Sequence, residues 1–250
     1  MKIAVLSDIH ANIHALEAVW PNLESQKPDA VYCLGDLVGY GAYPNEVIDF
    51  IRSQDVPTVM GNYDDGVGFD LDDCGCVYKN PADNRRGEQS LMWSRERTTP
   101  ENKTYLRSLP LQIREENLGG RYVLFVHGSP RKINEYLYED RPQSTFEHVA
   151  KVAGCDALFF GHTHLPYHKQ VGKTLFVNTG SVGQPKDGDP RAGYVIVDIG
   201  YLIRVEFRRV AYGVSAAARA VRDSGLPAHL ADLLETGGLA PAKISQGTIA

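Results

Sequence analysis

Cysteine is scarce. The 250-residue chain has four, Cys33, Cys74, Cys76 and Cys155, too few for the disulfide framework of a small secreted domain. Cys33 and Cys155 adjoin apolar strand-like residues and read as buried thiols, and Cys74-Gly75-Cys76 is the only close pair. No apolar stretch approaches membrane-spanning length. Met1 runs straight into a strand rather than a signal-peptide pattern, so a reducing cytoplasm is the expected compartment. An excess of basic charge is missing too: 26 Lys and Arg stand against 31 Asp and Glu, a net charge of −5. That argues against broad electrostatic attraction to nucleic acid. It leaves room for a local positive site, because bound metals carry charge that a residue count omits. Internal repeats and long linkers are also absent.

What is present reads as an α/β chain. A first strand over Ile3–Leu6 is followed by a helix with Asn12 as N-cap and Ile13, Leu16, Val19, Trp20 and Leu23 at helical spacing. A second strand over Ala30–Leu34, a helix begun by Pro44-Asn45-Glu46 and a third strand over Pro57–Gly61 imply right-handed crossovers in a parallel sheet. The Asp- and Gly-rich stretch from Tyr63 to Pro81 reads as a long loop or insertion. Helices are predicted near 84–97, 100–108 and 142–153, and a hairpin around Gly119-Gly120. The second half is then strand-rich to Val210. Short helices follow over 214–223 and 227–235, with a patternless tail over 237–250. The expected organisation is one catalytic domain over residues 1–210, with a helical extension and tail over 211–250.

The informative pattern lies where apolar runs end. Ala157-Leu158-Phe159-Phe160-Gly161 leads into His162-Thr163-His164, and Ile3–Ser7 into Asp8 and His10. Ala30–Gly35 leads into Asp36, Pro57–Gly61 into Asn62, and Tyr122–Val126 into His127. In α/β folds ligands bind beyond the carboxyl ends of the strands. Five such ends carrying metal-competent side chains point to one metal site or two adjacent ones, and together with the resemblance given below to a dinuclear metal centre. The mixed oxygen and nitrogen set suits two divalent transition-metal ions (Mn, Fe, Ni, Zn or Co) better than calcium. If Asp36 bridges, each ion can receive four protein ligands. Two such ions can clamp a phosphoryl group and lower the pKa of a bridging water, so that hydroxide attacks phosphorus in line.

The same motifs, in the same order, resemble those of the calcineurin-like metallophosphoesterases: Asp8-Ile9-His10, Gly35-Asp36, Gly61-Asn62, Val126-His127 and Gly161-His162-Thr163-His164. The resemblance covers roughly Met1 to Val210. Its Asn178–Pro185 run is similar to the small bacterial and archaeal phosphodiesterase branch. It implies a four-layer α/β/β/α sandwich of two mixed sheets with the metals at the strand ends. It also implies Asp8, His10, Asp36 and His164 around one ion, and Asp36, Asn62, His127 and His162 around the other, with Asn62 helping to orient phosphate. Asn12 then reads either as a helix cap or as a phosphate contact.

One position departs from the family pattern. Many members place a histidine after Gly-Asn, where it protonates the leaving group, whereas this chain has Gly61-Asn62-Tyr63-Asp64. Tyrosine titrates near pH 10 and is a poor acid for that task. Either another group donates the proton or the natural leaving group needs little help. The catalytic set is read as Asp36, Asn62, Tyr63 and Asp64, with Asp64 orienting a ligand. Among the loop cations Arg131, Lys132, Lys186 and Arg191, the first choice for meeting substrate phosphate is Arg191. Tyr40, Tyr43, Tyr136 and Tyr138 read as loop packing or as stacking surfaces for an aromatic substrate group.

The resulting expectation is a metal-dependent phosphodiesterase or phosphatase for a small phosphoester, with a nucleotide among the candidates. The same site on a protein phosphate, and a scaffold that uses the fold without turnover, are the alternatives. The sequence leaves a homo-oligomer open.

Overall fold

In the computed structural model of the chain, residues 1–76 and 81–239 are described. One sheet has the order β2 (Ala30–Cys33), β1 (Lys2–Leu6), β8 (Ala192–Ile199) and β9 (Ile203–Val210). The other runs β3 (Gln112–Leu118), β4 (Arg121–Val126), β5 (Ala157–Phe160), β7 (Thr174–Asn178) and β6 (Tyr167–Val171). Both are mixed: β1–β2, β4–β5 and β5–β7 are parallel, and the other pairs are antiparallel.

Alternation along the strands builds the layers. Side chains two apart share a face, so Ile3 and Val5 of β1 enter the core between the sheets while Ala4 and Leu6 face helices. In β4 and β5, Val123, Phe125, Ala157 and Phe159 enter the same inter-sheet core. Leu124, Val126, Leu158 and Phe160 pack instead with Phe146 and Val149 of α6 (Gln143–Ala153). On the outer face of the first sheet lie α1 (Ile13–Ser25), α2 (Pro44–Ser53), α7 (Val214–Asp223) and α8 (His229–Glu235). The order of layers is helix, sheet, sheet, helix. Strands buried on both faces explain why their sequences are continuous apolar runs.

Two local expectations change. The third strand shrinks to a single parallel bridge, Cys33 with Thr58. Beyond Val59 the chain leaves the ladder, and the Met60 amide donates to the Pro110 carbonyl (2.8 Å). The supposed loop after Asn62 opens with a short helix, α3 (Asn62–Gly68). Its composition is poor for a helix, but Asp64 accepts a hydrogen bond from the Gly61 amide (2.9 Å) and fixes the first turn. Next come α4 (Pro81–Arg97) and α5 (Pro100–Ser108). Most of the tail read as patternless lies outside the described residues.

The C-terminal helices join the main body: Ala217, Ala218, Val221, Leu230, Ala231 and Leu234 belong to the core that α1 covers. The Gly237 carbonyl accepts from the Gly188 amide (2.9 Å), bracing the loop after Pro185.

The sheets meet through aromatic rings. Phe125 is fully buried, 4.1 Å between centroids from Tyr32 of the opposite sheet and 5.2 Å from Phe159. Phe125→Ala is expected to lower stability by about 3–5 kcal/mol, the usual loss for a buried Phe. A fall in the urea midpoint at unchanged m-value would show this; an unchanged midpoint would contradict it.

Candidate metal centre

The carboxyl ends of β1, β2, β4 and β5, with the chain after the Thr58 bridge, converge at one end of the sandwich. All seven candidate ligands there are buried. Two groups offer ligand atoms within 4.8 Å of one another: Asp8, His10 and His164, and Asp36, His127 and His162. Asp36 Oδ2 lies 3.3 Å from His127 Nε2 and 3.6 Å from His10 Nε2, so it faces both groups. Asn62 Oδ1 sits 3.0 Å from His127 Nε2.

Hydrogen bonding shows which atoms are left to bind an ion. His10 Nδ1 donates to the Val38 carbonyl (2.9 Å) and His164 Nδ1 to the Gln184 carbonyl (2.5 Å). A carbonyl only accepts, so each Nδ1 holds the ring proton and each Nε2 presents a lone pair. Those two Nε2 atoms face each other at 3.1 Å. His127 Nδ1 donates likewise to the Leu34 carbonyl (2.8 Å), and its Nε2 meets His162 Nδ1 at 3.2 Å. One oxygen of Asp8 is engaged, accepting from Ser7 Oγ (2.5 Å) and the His162 amide (3.0 Å). The other, Oδ1, has no hydrogen-bond partner among the described residues and lies 3.1 Å from His164 Nε2. Buried acceptors turned towards acceptors repel unless a cation lies between them. The donor set therefore fits two cations.

The electrostatics agree. Burial opposes charge on His127, but the Asp36 carboxylate beside it outweighs burial and holds the imidazole pKa at about 10. Burial lowers His162 to about 3 and His164 to about 4. Burial also works against the Asp8 carboxylate, yet the surrounding histidines hold its pKa well below the ordinary value.

The backbone is shaped to make this convergence. Asp8, His10, Asp36, His162 and His164 all have φ between 50° and 64°. L-residues visit this left-handed region at a cost of roughly 1–2 kcal/mol, somewhat less for Asp and His. Such a concentration of strain marks a functional site. Two glycines allow the close approach. A Cβ on Gly61 would lie 2.2 Å from Asp36 Oδ1, and one on Gly161 2.0 Å from Ser7 Oγ and 2.3 Å from Asp8 Oδ2.

Asp64 ties the loops together. Its carboxylate accepts from the amides of Asp36 (2.8 Å), Leu37 (2.9 Å) and Gly61 (2.9 Å). It orients the segment that carries Asp36 and Asn62. Tyr63 is buried, its ring 5.6 Å from His10 and 4.8 Å from Tyr40, and its amide donates to Asp36 Oδ1 (2.8 Å). Its ring packs against that of the candidate ligand His10.

Two residues read from the sequence as substrate contacts are engaged with other protein groups. Both amide hydrogens of Asn12 are engaged, with the Gly183 carbonyl (2.9 Å) and Tyr212 Oη (3.2 Å), and its oxygen caps α1 through the Ala15 amide (3.1 Å). The structure shows Asn12 as the cap of α1. Arg191 is exposed and forks onto Asp189 (3.0 and 2.6 Å). Asn62 Nδ2 donates to the Cys74 carbonyl and to Cys76 Sγ, both at 3.1 Å.

The cation that turns towards the centre is Lys186. The residue is exposed as a whole, but its ammonium lies over Tyr40, 6.0 Å from the ring centroid, and Tyr40 lies 4.6 Å from His10. Crowding around the ammonium lowers its pKa, against the pull of Asp8 and Asp36. Its place directly after the Asn178–Pro185 motif was the sequence signal. Tyr136 covers the other side, 4.0 Å from the His162 ring.

Asp64→Asn keeps the shape but exchanges an acceptor oxygen for a donor, opposing at least one of the three amides. A loss of about 2–4 kcal/mol in unfolding free energy is expected, with weaker metal binding. Unaltered denaturation and metal affinity would contradict the hub assignment.

Comparison with known proteins places this geometry. Residues 1–201 match the calcineurin-like phosphoesterase superfamily domain. A crystal structure of a metallophosphoesterase from Sphaerobacter thermophilus is 31% identical with a TM-score of 0.78, covering 95% of this chain and all (100%) of that one. A hypothetical protein of Pyrococcus horikoshii OT3 superposes with a TM-score of 0.83 at 25% identity, over 96% of this chain and 99% of its own. An uncharacterised protein of Methanocaldococcus jannaschii is 35% identical over 254 residues, 94% of this chain and 98% of that protein. A shorter match, 49% identical over 43 residues, joins 17% of this chain to 23% of the Escherichia coli phosphodiesterase YfcE. The chain belongs to the calcineurin-like metallophosphoesterase superfamily.

Proposed function

We propose that the protein is a dinuclear-metal-dependent phosphoesterase that hydrolyses a small phosphodiester. The observation that carries this reading is the pair of buried Asp/His groups whose lone pairs face one another across Asp36 Oδ2. Asp8, His10, Asp36 and His164 would hold one ion, and Asp36, Asn62, His127 and His162 the other. When bound, the ions would supply Lewis acidity and a water nucleophile active at neutral pH. Their identity, manganese included, follows from loading and not from the ligand set.

The chain's own groups do the rest. Val38, Leu34 and Gln184 carbonyls keep the histidine tautomers that leave Nε2 free. Asp64 keeps Asp36 and Asn62 in register. The Lys186 ammonium meets the negative phosphoryl group from the open side, as a point charge suited to a non-bridging oxygen. The described part of the extension, residues 211–239, braces the Lys186 loop through Gly237 and serves the catalytic domain over 1–210. Position 63, where many members of the family carry the leaving-group acid, is tyrosine, and its ring lies 5.6 Å from that of His10. Esters whose leaving groups depart unprotonated should therefore turn over fastest. The named activity of YfcE as a phosphodiesterase supports the choice of a diester.

Metal-loaded protein should hydrolyse bis-nitrophenyl phosphate faster than the corresponding monoester. A chelator should abolish turnover, and Asp36→Asn or His127→Ala should reduce it by at least about 100-fold. Turnover of neither ester with any of the five metals would sink the reading. Lys186→Ala should lower kcat/KM about 10–100-fold, the worth of a hydrogen bond to a charged group, at unchanged metal content. A similar kcat/KM in that variant would remove Lys186 from the account. Tyr63→Phe should change turnover less than about 3-fold, and a large loss would restore Tyr63 as a proton donor.

A further inference from the structure

The Cys74-Gly75-Cys76 segment stands against the second candidate metal position. The two sulfurs are 3.0 Å apart. Asn62 connects them to the centre: its oxygen faces His127 Nε2 (3.0 Å), and its nitrogen is held by the Cys74 carbonyl and Cys76 Sγ. Gly75, at φ 69°, makes the tight turn between the cysteines. Its amide bonds Asp73 Oδ1 (2.8 Å) and its carbonyl bonds Asn134 Nδ2 (2.7 Å), which pins the turn from both sides. If the segment only had to hold an amide, a hydroxyl would serve better, since sulfur is a weak acceptor. Paired thiols offer something a hydroxyl cannot, which is reversible oxidation.

We propose that Cys74 and Cys76 form a dithiol–disulfide switch closed by hydroperoxides, and that closing it loosens Asn62 at the second metal position. Cys76 is half-buried and Cys74 is buried, so Cys76 meets the peroxide and Cys74 resolves. With hydrogen peroxide, the Cys76 sulfur takes one oxygen as a sulfenic acid and the first water leaves. The Cys74 sulfur then displaces the hydroxyl as a second water. One S–S bond replaces two S–H bonds, both thiol protons leave in water, and the two electrons reduce the peroxide. An S–S bond of about 2.05 Å draws the sulfurs nearly 1 Å closer, pulling Cys76 Sγ from Asn62 Nδ2. Cys33 and Cys155 are buried and serve as internal controls for a reaction that needs two adjacent sulfurs.

The proposal rests on the dinuclear reading of the site, and its test separates the two. Full-length protein is treated with hydrogen peroxide and quenched. The 74–76 peptide is weighed by mass spectrometry, and manganese affinity is titrated before and after. The peptide should lose two hydrogens, and affinity for the second ion should fall about 10–100-fold, as for loss of a group that orients a ligand. Dithiothreitol should restore both. Cys74→Ser should keep the unoxidised affinity and show no dithiothreitol-reversible loss. Reduced protein that binds two ions but forms no disulfide, or forms it with affinity unchanged, overturns the switch alone. Reduced protein that binds no ions overturns the metal-centre reading and the switch with it.

Discussion

Three imidazole nitrogens at the centre are prepared as acceptors by backbone carbonyls bound to their opposite faces, and they converge on carboxylate and amide oxygens that are acceptors too. In a buried setting such a cluster is unfavourable by itself and favourable around positive charge. The Asp36 carboxylate beside His127 raises the imidazole pKa for the same reason, since it favours positive charge at its side. The rest of the site follows from keeping these lone pairs aimed inwards.

Holding them there sets the backbone against its own preferences. Five of the candidate ligands adopt left-handed conformations, and the loops bearing them touch so closely that Gly61 and Gly161 leave no space for a Cβ. Compensation comes from the two sheets, whose parallel strands end together, and from Asp64, which satisfies three loop amides at once. The aromatic contact of Tyr32, Phe125 and Phe159 holds the sheets in the relation that brings both groups of ligands to one end. The candidate metal centre of this chain thus leans on a doubly buried pair of sheets as well as on its loops.

Much of this was legible in the sequence because it is periodic or local. Apolar runs ending in Asp, Asn or His announced the strand ends, and Gly119-Gly120 announced the β3–β4 hairpin. What escaped reading depends on depth and on distant partners. Asn62–Gly68 has the composition of a loop, and it becomes helical because Asp64 also bonds a strand end remote in sequence. Arg191 and Lys186 are both loop cations five residues apart, and only the fold turns one to Asp189 and the other towards Tyr40. Tyr63 was legible as an unusual residue, but its burial beneath His10 was not. The link from Cys76 to Asn62 spans fourteen positions and has no periodic signature.

The central claim is that the facing lone pairs are built for two ions sharing Asp36. Anomalous diffraction from crystals grown with zinc tests it most directly. The account predicts two peaks, one in each group of ligands, with Asp36 Oδ2 about 2.0–2.2 Å from both. A single peak, or two peaks with Asp36 bound to only one, would contradict it.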